Sequence, residues 1–130
     1  MRRRRHRSGY DEATLWAGRV SVPVEIPNST LKRWRGLIGK DGYADRGMLF
    51  SNANAIHTIF MKFPIDVAFL DKHLVVLDIV RMPPWRLGVP RLRARYVLEA
   101  EAGAFKQWGV RRHTQFTLHQ STKSTTRRMA

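Results

Sequence analysis

The sequence predicts a mainly β (α+β) fold, a small antiparallel β-sandwich or barrel-like single domain with two short helices. Three observations predict it: about seven short runs carry strand-like patterning, turn residues separate neighbouring runs, and no long strand-helix-strand unit repeats. A chain of 130 residues fits one domain with one core. The expected organisation is a basic disordered tail over 1–12, a β-rich domain over 13–119 and a polar disordered tail over 120–130.

The elements follow in order. From Thr14 to Ile26 the chain alternates, with Val20, Val22, Val24 and Ile26 on one face, so it reads as a strand interrupted near Gly18 and Pro23. Pro27-Asn28-Ser29-Thr30 then offers capping residues to a helix over Leu31 to Ile38, whose apolar face would hold Leu31, Trp34 and Ile38 and which Gly39 would end. Met48-Leu49-Phe50 is a short apolar strand. Three further strand-like runs cover Ile56 to Lys62, Ile65 to Leu70 and Leu74 to Val80, the last two joined by Asp71-Lys72-His73, a hairpin turn without glycine. The segment 81–95 carries three prolines and five arginines, which reads as a functional or mobile loop. Tyr96 to Ala100 returns as a strand, Ala102 to Trp108 as a short helix stopped by Gly109, and Thr114 to His119 as the last strand.

Composition narrows the chemistry. The chain has no cysteine, which excludes disulfides, thiolate metal sites and a cysteine nucleophile. Its histidines show no His-Glu-x-x-His spacing, so neither a metal nor another cofactor is expected. The amino terminus is basic but lacks the apolar run of a secretory signal, and no stretch approaches the ~18 apolar residues of a spanning helix. A soluble, cytoplasmic protein is the expectation. Of the formal net charge of +14, the tails supply more than half, with five arginines in residues 1–7 and three cations in 123–128. Such tails attract any polyanion without sequence recognition.

Several motifs, taken in order, resemble those of the domain of unknown function 192 family. They are Arg35-Gly36-Leu37-Ile38-Gly39, Gly47-Met48-Leu49-Phe50, the run His57-Thr58-Ile59-Phe60-Met61-Lys62-Phe63-Pro64-Ile65-Asp66-Val67-Ala68-Phe69-Leu70, the Pro84-Trp85-Arg86 turn, and Tyr96-Val97-Leu98-Glu99 followed by Ala102-Gly103. The resemblance spans about residues 15 to 119 and implies a small, mostly β domain with short helices, found in bacteria and archaea, with no settled activity. The family's last turn resembles Gly-Val-Arg-Pro-Gly-Asp; here it stands as Gly109-Val110-Arg111-Arg112-His113-Thr114, without the proline, glycine and acid.

His57, Lys62 and Asp66 are ionisable groups inside a strongly apolar run, where an unpaired charge is costly. They are candidate ligand-binding residues together with Trp85. If the run is a regular strand, His57 and Lys62 point to opposite faces, and the break at Pro64 could let Asp66 fold back to either. A histidine oriented by a carboxylate suits an acid-base pair or a ligand anchor. The competing reading has Asp66 satisfying backbone amides, Lys62 reaching water and His57 hydrogen-bonded in the core. Asp78 lies in an apolar strand and needs a partner, with Arg81 or Arg95 the expected one.

Trp85 amid Arg81, Arg86, Arg91 and Arg93 is a candidate polyanion site, through stacking and bidentate contacts, although covering the core is the more ordinary task for a tryptophan in such a turn. No serine sits in a Gly-x-Ser-x-Gly elbow, and no glycine-rich phosphate loop or nucleic-acid-binding signature is present. The first functional reading is therefore a non-catalytic module binding a small ligand or protein partner around His57 and Asp66. The alternatives are a basic protein associated with nucleic acid or another polyanion, and an uncharacterised hydrolase using the His57–Asp66 pair.

Overall fold

The structure is a computed structural model and describes residues 9–120. Both basic tails, and with them the tail-borne polyanion site, lie outside the described residues.

The first alternating stretch forms a hairpin. β1 (Tyr10–Ala17) pairs antiparallel with β2 (Val20–Pro27), from Ala17 opposite Val20 to Tyr10 opposite Pro27. The glycine that was expected to interrupt one strand instead turns between two: Gly18 has φ +61°, the first central position of a two-residue hairpin loop. Pro23, which cannot donate to a ladder, lies just beyond the short parallel pairing of β2 with β3 (Gly47–Ser51), which covers only Val24 opposite Gly47 and Glu25 opposite Met48.

The first helix is shorter than its periodicity predicts. α1 covers Thr30–Arg35, capped by the Ser29 side chain accepting from the Lys32 amide, and ends at Gly36 rather than Gly39. Gly36 has φ +54°, so the chain turns there and carries Leu37, only 1% exposed, into the core. The expected apolar face is corrected accordingly. Leu31 and Trp34 are 67% and 74% exposed, because a helix of six residues is too short to pack two turns on the sheet.

A second correction concerns residues 56–62. They form no strand, only one antiparallel bridge between His57 and Leu87, within a loop. That loop runs against the proline-rich segment through Thr58 N–H to Arg86 O, Gly88 N–H to Ile56 O and Arg91 N–H to Asn54 O, each 2.8 Å.

β4 (Ile65–Leu70) and β5 (Val76–Met82) form the expected hairpin. Its turn works without glycine because one Asp71 carboxylate oxygen accepts from the amides of His73 and Val75, an Asx-type closure. β6 (Tyr96–Glu101), α2 (Ala104–Trp108) and β7 (Thr117–Gln120) complete the chain.

The strands form one seven-stranded mixed sheet in the order β5-β4-β6-β3-β2-β1-β7, parallel only between β2 and β3. The sheet is not closed into a barrel, but it curls. Residues 74–76, leading into β5 at one edge, bond to residues 113–116, leading into β7 at the other. Both faces are covered as a result. Leu49, Ala68, Leu70, Leu98 and Ala100 face one apolar cluster with Phe105 of α2, while Met48, Phe50, Ile65, Val67, Phe69 and Val97 face a second with Leu37 and Met61. This explains why every residue of β4 is buried, a pattern that fits a strand covered on both faces.

Candidate functional site

The second cluster is incomplete above β6. A cavity of about 200 Å³ opens between the turn after α1, the loop at 53–61 and the ends of β3 and β6. Leu37, Phe50, Met61 and Val97 supply apolar wall, and Arg33, Arg35, His57 and Glu99 supply the polar groups.

Glu99 is the unusual member. Strand parity puts it on the face of Val97, flanked in the sheet by Met48 and Val67, both fully buried. It is 6% exposed; among the described residues no hydrogen bond or ion pair reaches its carboxyl, and since no side-chain oxygen is both fully buried and unbonded, the carboxyl meets the cavity's solvent. Burial alone pushes this carboxyl up to about 8, from an ordinary 4.5. Gly36 closes over it: a Cβ there would lie 3.9 Å from Oε1 and 3.4 Å from the Phe50 ring, besides having to adopt a positive φ.

The groups around the cavity mouth are held by the backbone. Arg33 donates to the carbonyls of Ser51 and Asn52, tying α1 to the end of β3. Arg35 Nε donates to Ile38 O at 3.3 Å. His57 Nδ1 accepts from the Ile59 amide at 3.2 Å, which leaves Nε2–H as a free donor on an exposed ring.

The structure does not bring His57, Lys62 and Asp66 together. Lys62 pairs with the exposed Asp41 at 3.2 Å. Asp66 points with Ala68 and Leu70 to the opposite face of the sheet from the loop that carries His57. There it is 4% exposed: Oδ1 accepts from Arg81 Nε at 3.0 Å, and Oδ2 accepts from the Gly103 and Phe105 amides at 2.9 and 3.2 Å. It thus caps α2, whose own N-cap is a glycine without a side chain. A wider cavity of about 650 Å³ adjoins it, rimmed by Arg81, Lys106, Arg111 and Arg112.

The arginine constellation is partly consumed by structure. Arg81 holds Asp66, so the partner expected for Asp78 is corrected: Arg91 reaches Asp78 Oδ2 through Nε and Nη2 at 3.1 and 2.8 Å and lies over the Phe69 ring at 4.4 Å. That ion pair holds the Asp78 carboxyl below the usual carboxylate range. Arg86 turns back to the carbonyls of Pro84 and Trp85, and Arg93 is exposed. Trp85 does not cover the core. It is 56% exposed and meets Phe60 edge-on at 4.8 Å, both residues at positive φ.

Glu99 was not singled out from the sequence, although the signal was there. It stands between Leu98 and Ala100 in an apolar strand, the pattern that drew attention to Asp78. What the sequence does not display is that β6 lies in the middle of the sheet, where such an acid has no route to water except through a cavity.

Fold and site define a small curled mixed-sheet domain that keeps one uncompensated acid beneath a cavity. The chain belongs to the DUF192 family, described as "Uncharacterized ACR", whose family model matches residues 13–118. It is 39% identical over 95 residues to a UPF0127 protein of Pyrococcus horikoshii, covering 68% of this chain and 76% of that one. A UPF0127 protein of Pyrococcus abyssi is 37% identical over 102 residues, covering 73% and 81%. Among solved structures, a protein of unknown function from Novosphingobium aromaticivorans superposes with a TM-score of 0.69 at 16% identity, over 83% of this chain and 84% of that one, a likeness of fold. No helix among the described residues is long and apolar enough to cross a membrane.

Proposed function

We propose that the chain is a non-catalytic binding module for a small molecule, with its site in the cavity walled by His57, Arg33, Arg35 and Glu99. The single observation that carries this reading is the Glu99 carboxyl, mostly buried, opening only to the cavity and without a hydrogen bond or ion pair to the rest of the protein. A polar group in that position costs stability unless something bonds it, and a chain with no other use for it would do better with an apolar residue. His57 stays in the site; Asp66, on the other face with all its bonds made, does not.

The test is a small-molecule screen by two-dimensional NMR on the full chain. Binders are expected to shift the amides of residues 36–38, 56–57 and 97–99 together, and to lose at least about tenfold in affinity with Glu99→Gln, since a hydrogen-bonded charge contributes about 1.5–3 kcal/mol. A screen in which hits map only to other surfaces, or bind Glu99→Gln as well as the parent, would overturn the reading.

A further inference from the structure

This inference rests on the ligand-binding reading and names the chemistry of the ligand. The polar groups of the cavity are unevenly placed. At its buried end stands one acid, Glu99. Towards solvent stand two permanent cations, the half-buried Arg33 and the exposed Arg35, with the Nε2–H donor of His57. Between them the wall is apolar. An anion alone would satisfy the arginines but meet Glu99 only while that carboxyl keeps its proton; a cation alone would satisfy the ionised acid but would pass and then face two guanidiniums. A neutral apolar molecule would leave both ends without a partner. With Glu99 ionised, a molecule with a positive end and a negative end complements the whole cavity.

We propose that the cavity binds a small zwitterion, its protonated amine against Glu99 and its carboxylate towards Arg33 and Arg35. The volume limits its size. About 200 Å³ is the liquid volume of about seven waters, so the part of a ligand held inside the cavity has about as many heavy atoms.

Binding is then linked to protons. The charged groups near Glu99 are Arg33 and Arg35 from α1, His57 from the loop and Glu101 on its own strand, the last bonded to the Tyr43 amide. None lies within ion-pair distance of Glu99 among the described residues. With its carboxyl pushed up to about 8, Glu99 holds a proton at neutral pH and releases it when an ammonium group takes its place. The apparent affinity therefore rises as pH rises from 7 to 9, by about tenfold, while a ligand amine titrating above 10 keeps its charge.

The experiment is calorimetry and NMR titration of the full chain with 4-aminobutyrate, and with butylamine and butyrate as single-charge controls, at pH 7 and pH 9 and in two buffers of different ionisation enthalpy. The proposal expects 4-aminobutyrate to bind best and close to one proton to be released per ligand at pH 7. It expects Glu99→Gln to abolish the proton release, and Arg35→Ala to weaken 4-aminobutyrate several-fold without weakening butylamine. Preference for butyrate, equal binding of butylamine and 4-aminobutyrate, or binding without proton release would each overturn it. If neutral or anionic compounds shift the cavity amides and zwitterions of no chain length do, the zwitterion assignment fails while the binding reading stands. If no compound of any class shifts them, both fail.

Discussion

At the scale of single residues, the sequence shows where ionisable groups meet apolar surroundings but not which of them are left over. His57, Asp66, Asp78 and Glu99 all stand in apolar runs. Asp66 and Asp78 find arginines fifteen and thirteen positions away, separations that no local pattern encodes. Glu99 finds none, and this has a measurable consequence for stability. Below the ordinary pKa of 4.5 the folded and unfolded chains both hold its proton; between 4.5 and about 8 only the folded chain does. The folded state binds more protons in that window, so stability falls as pH rises through it, by up to ~1.4 kcal/mol per unit, and levels off above. Glu99→Gln removes the titrating group and with it this slope. Thermal unfolding of both proteins from pH 5 to 9 is therefore expected to give curves that separate, the parent losing more stability than the variant. Parallel curves would mean that the carboxyl is already charged in the folded protein.

At the scale of elements, periodicity located most strands but misjudged those whose environment is set from a distance. The hairpin β4–β5 was legible because its turn at Asp71 is short and local, whereas the alternation of Thr14 to Ile26 hid the hairpin β1–β2, since a two-residue turn at Gly18 leaves the pattern of one continuous strand. Residues 56–62 were misread because their apolar content serves as a lid on the second cluster, and a lid and a strand have the same composition. The extent of α1 was misread because Gly36, not Gly39, takes the helix-ending positive φ. α2 was legible as a helix, yet its start depends on Asp66 from another strand. That dependence can be tested. Asp66→Ala leaves the Gly103 and Phe105 amides without their acceptor, a lost cap of about 1 kcal/mol and an unsatisfied buried donor of about 1–3 kcal/mol. The Arg81 arm adds little, since that side chain is 60% exposed. The expected result is a loss of roughly 2–4 kcal/mol in chemical denaturation, with the cavity amides on the opposite face unshifted. A variant as stable as the parent would show that α2 needs no carboxylate cap.

At the scale of the whole molecule, the curl of the sheet depends on one turn between its two edges, and this turn departs from the family pattern. Arg111 to Thr114 close it through Thr114 N–H to Arg111 O at 3.1 Å and Arg111 N–H to Thr114 Oγ1 at 3.2 Å. His113 then donates its amide to Val76 O at 2.8 Å, which joins the turn to the far edge strand. The turn is therefore formed despite the missing proline, glycine and acid. Its third residue nevertheless carries the cost, because His113 has φ +74°, the conformation that glycine takes freely where the resembling motif has Pro-Gly. An L-residue in this region costs about 1–2 kcal/mol, against which glycine adds about 0.5–1 kcal/mol of unfolded-chain entropy. The His113 side chain is exposed and makes no hydrogen bond or ion pair among the described residues, so its removal loses little. His113→Gly is expected to stabilise the protein by about 0.5–1 kcal/mol and to raise Tm by roughly 2–5 °C. His113→Val, whose branched side chain tolerates positive φ worst, is expected to lower it. If Gly and Val change Tm in the same direction, the turn does not hold this conformation in solution, and the closure of residues 74–76 on 113–116 must draw its stability from the packing of Phe116 and Val76 in the first cluster instead.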